Sequence, residues 1–171
     1  MRVRSSIVIN RSIEMVFTYV SDPDYFIPGR QVEEVESITY RFLFFIPITL
    51  RTRHVPLKWN RQSPAGPLGV GTTFVQVMAL SGVPSETFLE ITEYDPPKTI
   101  ACKFSGGAVP PGEARIVLVP FADGTRVIET MKVKGGCYRL IGPFLTPLMK
   151  RQAKIDLHKL KERLESLPEE N

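Results

Sequence analysis

The order of its segments constrains this chain more than any motif does. From about Gly71 to Val133 it runs through alternating, turn-punctuated stretches, which feed directly into one long amphipathic helix from about Gly142 to Leu167. An antiparallel sheet that ends in a single long helix buries both apolar faces when the helix lies across the sheet. A curved sheet makes the space between them a cup. With 171 residues, 43% of them hydrophobic, the chain has enough apolar surface for one sizeable core and none of the signature of disorder. One domain over residues 1–171 is expected.

The punctuation is local and readable. Val3, Ser5, Ile7 and Ile9 alternate with Arg4, Ser6 and Val8, as in a strand. Ser12 is placed to cap a short helix carrying Met15, Val16, Tyr19 and Val20, which should stop before Pro23; residues 25–28 offer a second short helix. Strands are then expected at 72–80, 85–94, 99–104, 113–120 and 125–133, with Asp95-Pro96-Pro97 closing the second. Ala122-Asp123-Gly124 lies between the last two, where Asp-Gly should supply the positive φ of a hairpin turn. Pro143 suits the first turn of the final helix, whose stripe is Leu145, Leu148, Met149, Ala153, Leu157, Leu160, Leu164 and Leu167.

These residues carry a resemblance. Ile13-Glu14-Met15-Val16-Phe17 with Ser21-Asp22-Pro23, then Gly66-Pro67-Leu68-Gly69-Val70-Gly71-Thr72, then Ile91-Thr92-Glu93-Tyr94-Asp95-Pro96-Pro97, then Asp123-Gly124-Thr125-Arg126 and the closing helix resemble the START-like superfamily. Its polyketide cyclase/dehydrase-like branch is the most similar part. The resemblance covers nearly the whole chain and implies an α+β helix-grip fold, in which a curved antiparallel sheet wraps a long C-terminal helix over an elongated apolar cavity. Its motifs belong to the scaffold, so it does not choose among carriers, cyclases and proteins of no known activity.

Residues 39–57 depart from that pattern as an insertion. Phe42, Leu43, Phe44, Phe45 and Ile46 form an apolar run, followed by the basic Arg51, Arg53 and His54. Two readings stand: a hairpin that extends the sheet or caps the core, or an exposed flap that acts as a lid or docks on a membrane interface.

Composition removes several classes of function. The net charge is +4, but acidic residues dilute the basic ones on the final helix, so no nucleic-acid partner is expected. Cys102 and Cys137 show no CxxC spacing and the start has no apolar signal region, which points to a reduced, cytoplasmic protein, with membrane association left to the insertion. The only histidines, His54 and His158, lie far apart in sequence, so no metal is expected, and no cofactor is required. The glycines of 64–71 precede a strand rather than a helix, which argues against a phosphate cradle. No Ser or Cys sits in a catalytic signature.

What remains is a cup with a few polar groups. On the last strand Val127, Glu129, Met131 and Val133 share the less charged face and should point inward. Glu129 either reaches the rim and solvent, the simpler placement, or is buried with a raised pKa and serves as general acid or base. The other expected wall residues are Phe74 and Met78, Ile100, Cys102 and Phe104, Ile116 and Leu118, with Met149 and Leu157 from the helix. Trp59, Arg115, Tyr138 and His158 are further candidates. The expected function is binding of a small or elongated hydrophobic ligand: a lipid, an isoprenoid or a polyketide-like molecule. The alternatives are a cyclase or dehydratase using Glu129, and a membrane-peripheral lipid-handling module working through Phe42 to Ile46. Oligomeric state is left open.

Overall fold

The computed structural model describes residues 1–22, 36–42, 46–52, 59–61, 67–80, 83–106, 111–135 and 137–168. Within them 36–42, 46–52, 59–61, 76–80, 83–85, 137–142, 144, 145 and 148 are described by backbone alone. The elements follow in chain order as β1 (Arg2–Ile9), α1 (Ile13–Ser21), β2 (Glu36–Phe42), β3 (Ile46–Thr52), β4 (Trp59–Arg61), β5 (Thr73–Leu80), β6 (Val83–Asp95), β7 (Thr99–Ser105), β8 (Gly112–Phe121), β9 (Gly124–Val133) and α2 (Cys137–Ser166). This is the α+β helix-grip fold. An antiparallel seven-stranded sheet runs in the order β1-β9-β8-β7-β6-β5-β4, and α2 lies along β1.

The chain order dictates this topology. Consecutive strands from β4 to β9 form a meander, and β1 returns to close its edge beside β9, pairing Val3 with Met131 and Ser5 with Glu129. Thr92 is the extra residue where the β6–β7 register shifts between Ile91 and Glu93. A bulge of this kind bends the strand and strengthens its twist, which helps the sheet curl around a helix. α1 begins at Ser12, whose hydroxyl accepts from the Met15 amide at 3.3 Å. It buries Val16, Phe17 and Val20 against the sheet, with Phe17 against the Tyr94 ring at 5.6 Å. The core gathers these residues with Ile9, Phe74, Ile91, Ile100, Ile116, Leu118, Val127, Leu157, Leu160 and Leu164.

Three local expectations are corrected. α2 begins at Cys137, so Pro143 and Pro147 lie inside it. Each proline forfeits one backbone N–H bond but keeps helical φ, and the helix runs through them. In the β8–β9 hairpin the positive φ falls on Ala122, at 49°, not on Asp-Gly. Gly124 is already the first residue of β9, and a Cβ there would overlap the Ile9 carbonyl oxygen, so it is close approach that calls for a glycine. Leu167 lies beyond the helix end and is exposed, outside the apolar stripe.

β2 and β3 pair only with each other among the described strands, from Glu36↔Thr52 to Phe42↔Ile46. Among the described strands this pair stands apart from the main sheet. Leu43, Phe44, Phe45, His54 and the helix expected at 25–28 lie outside the described residues. So do the side chains of Phe42, Ile46, Trp59, Met78, Tyr138, Leu145 and Leu148.

Candidate functional site

The inward face of α2 changes character along its length. From residue 157 onward it presents Leu157, Leu160 and Leu164, all buried in the core. The preceding turns present Met149, Gln152, Ala153 and Asp156, spaced i, i+3, i+4 and i+7 and therefore on one face. A small residue and two polar ones cannot fill the gap to the sheet as leucines do. The result is a cavity of about 60 Å³ between α2 and the β1–β9 edge, lined also by Val3, Ser5, Glu129 and Met131. The two strand pairs that face it, Val3↔Met131 and Ser5↔Glu129, are direct register partners.

Among the described lining residues the acidic ones are Glu129 and Asp156. Glu129 is half-buried, and its carboxyl is pushed up to about 7, first by burial and then by the charge of Asp156. Gln152 Nε2 donates to Asp156 Oδ1 at 3.0 Å, which orients that carboxylate. Ser5 is buried, and its Oγ has no hydrogen-bond partner among the described residues. A buried hydroxyl without a partner is costly unless something else fills the role. The flanking cations Arg4 and Lys132 are exposed, as period-2 alternation requires of residues next to inward-facing ones. The arrangement can accept hydrogen bonds and exchange a proton near neutral pH.

The expected wall residues divide into two groups. Glu129, Met131 and Met149 line this cavity. Phe74, Ile100, Ile116, Leu118, Val127 and Leu157 belong to the packed core instead, and Cys102 is buried on β7 with its thiol pushed up to about 11 by burial. Phe104 is half-buried and sits where a Cβ on Gly112 would meet its ring. The simpler placement of Glu129 is the rim and solvent; here it is half-buried and lines the cavity, with β1 paired beside β9 and α2 lying along β1. The resemblance implied an elongated apolar cavity, whereas the described residues enclose a smaller and partly acidic one. Pockets for drug-sized ligands hold roughly 300–1,000 Å³.

Arg115 and His158 are directed elsewhere. Arg115 makes a two-pronged ion pair with Glu93, at 2.8 and 2.7 Å, on the exposed side of the sheet; the guanidinium lowers the Glu93 pKa. His158 is exposed on α2, with Nδ1 2.8 Å from the Lys154 carbonyl oxygen. Sequence reasoning missed Ser5, Gln152 and Asp156 as site residues. A signal was present: Gln152 and Asp156 interrupt the face defined by Met149, Ala153 and Leu160, and Ser5 interrupts the inward set Val3, Ile7 and Ile9. Among the described residues no three His, Cys, Asp or Glu side chains come together as a metal site, and no helix is long and apolar enough to cross a membrane.

No protein-family model matches the chain, and no curated protein matches it in sequence. Solved structures do match in shape. The crystal structure of TTHA0849 from Thermus thermophilus superposes with a TM-score of 0.61 at 20% identity, covering 96% of this chain and 97% of that one. Ara h 8.0201 gives 0.62 at 11% identity, over 98% and 99% of the two chains. DynU16, from the dynemicin biosynthetic locus, gives 0.55 at 14% identity, with 96% of this chain matched to 47% of that protein. At such identities the likeness is one of architecture, and what this chain shares with all three is the helix-grip fold.

Proposed function

We propose that this protein binds a small hydrophobic molecule, or one end of an elongated one, between the sheet and α2. The observation that carries the reading is the cavity walled by Val3, Met131, Met149 and Ala153 at the place where the leucine packing of α2 stops. An apolar wall with a few convergent polar groups is what a specific small-molecule site requires. Lipids, isoprenoids and polyketide-like molecules are the ligand classes that suit it. Resemblance to the polyketide cyclase/dehydrase-like branch of the START-like superfamily supports the last class, as does likeness in shape to a protein of a biosynthetic locus. A cytoplasmic setting agrees with the free thiol of Cys102. Native mass spectrometry of protein purified from its own cells, followed by denaturation and identification of what is released, tests the reading. A stoichiometric apolar compound is expected. If no apolar compound is recovered and none binds when added, the reading fails.

A second reading has an observation of its own. A carboxyl with a pKa of about 7 beside a second carboxyl is suited to general acid or base work, as in a cyclisation or dehydration. Under this reading Glu129→Gln abolishes turnover of the bound compound and leaves its affinity within a few-fold. Unchanged turnover in that variant would exclude it.

A further inference from the structure

Building on the ligand-binding reading above, we propose that the cavity between β1, β9 and α2 takes a protonated primary amine. Its ammonium is held by Glu129, Asp156 and the Ser5 hydroxyl, and its hydrocarbon lies against Met131 and Met149. Two independent observations converge on this ligand. The first is the pair of carboxylates, brought to one cavity by β9 and by the 149–152–153–156 face of α2. The second is Ser5, which lines the same cavity, is only 7% exposed, and has an Oγ without a hydrogen-bond partner among the described residues.

Ligand chemistries separate on these groups. A carboxylate or phosphate would bring acceptors alone to a place where Glu129, Asp156 and Ser5 already present acceptor oxygens. A pure hydrocarbon would seal Ser5 Oγ and Glu129 away from water with nothing to bond. An alcohol brings one donor. An ammonium brings three donors and no acceptor, which matches the carboxyl oxygens of Glu129 and Asp156 and the Ser5 hydroxyl oxygen. Size agrees, since about 60 Å³ admits a small head and its first carbons but not a bulky polar group.

Among the described residues Ser5 on β1 and Ile116 on β8 are register partners of Glu129, and Val3, Gln152 and Asp156 line the same cavity; Asp156 is the charged one of these. An ammonium placed here favours the ionised form of Glu129, so amine binding near pH 7 releases protons to the buffer.

The test is calorimetric titration of the intact protein with hexylamine, 1-hexanol and hexanoate at pH 7, in two buffers of different ionisation enthalpy. Hexylamine is expected to bind about tenfold more tightly than hexanol, with hexanoate weakest and with proton release on amine binding alone. Lowering the pH to 5 protonates Glu129 and shrinks the preference. Glu129→Gln brings hexylamine down to the affinity of hexanol and leaves hexanol within a few-fold. Ser5→Ala, a small change that serves if the first variant does not fold, weakens hexylamine several-fold and hexanol little. Equal binding of amine and alcohol, or tighter binding of hexanoate, would overturn the ammonium site while leaving a hydrophobic-ligand site intact. Failure of all three probes to bind would overturn both.

Discussion

At the scale of single residues, the ionisation of Glu129 is linked to folding. Its carboxyl rises from 4.5 to about 7 on folding, chiefly through burial. Below pH 4.5 it is protonated in folded and unfolded chains alike and costs nothing. As the pH rises towards 7 the unfolded chain ionises first, so stability is lost across that window, by on the order of 2–3 kcal/mol, and stays lost above it. Glu129→Gln should therefore match the wild type near pH 4 and exceed its stability by about that amount at pH 8, in urea unfolding at both values. Equal stabilities at pH 8 would mean that the carboxyl is fully solvated. Cys102 offers a second residue-scale check. With its thiol near 11 and its side chain buried, iodoacetamide at pH 7.5 should alkylate Cys102 only after unfolding, as peptide mapping would reveal.

Among the elements, α2 decides where the cavity is, and its C-terminal end is held by the turn after β1. Arg11 donates to the carbonyl oxygens of Glu165 and Leu167, both at 2.8 Å, and satisfies acceptors that a helix end leaves open. The Asn10 amide donates to Glu165 Oε1 at 2.8 Å, and Lys161 Nζ reaches the Val8 carbonyl at the same distance. Arg11→Ala should cost about 1–2 kcal/mol and speed amide exchange in the last turns of α2. Gly124 acts at the neighbouring junction, where β9 passes the backbone of Ile9 and Asn10 without room for a side chain. Gly124→Ala should destabilise by roughly 1–3 kcal/mol, more than any conformational entropy that alanine saves. An unfolding midpoint equal to wild type would show that β1 moves aside freely.

The molecule as a whole is a sheet curled about a helix, with a hairpin added outside the main sheet. Because β2 and β3 bond only to one another among the described strands, the grip and the hairpin are separable in principle. A chain lacking residues 41–50 should keep its unfolding midpoint within a few degrees. It should lose co-sedimentation with anionic phosphatidylserine vesicles only if the Phe42–Ile46 run is a membrane contact. Retained sedimentation would assign any membrane affinity to another surface.

Much of the scaffold was legible because it is written in neighbouring residues. The Ser12 cap, the helix end at Ser21, the Asp95-Pro96-Pro97 corner and the alternation on β1 and β9 each depend on a few adjacent side chains and their backbone preferences. Legibility faded where one residue could satisfy two local rules. Pro143 suits a helix start yet lies inside α2, and Asp123-Gly124 reads as a turn yet leaves the positive φ to Ala122. The sequence alone determined strand periodicity, the amphipathic stripe and hence a sheet crossed by a helix. Only the tertiary structure decided that Ser5, Glu129 and Asp156 meet, that Leu157 to Leu164 close one end of the cup, and how small the space between them is. Those outcomes depend on how closely α2 approaches the β1–β9 edge, and because β1 lies more than a hundred residues before α2, no local periodicity encodes that distance.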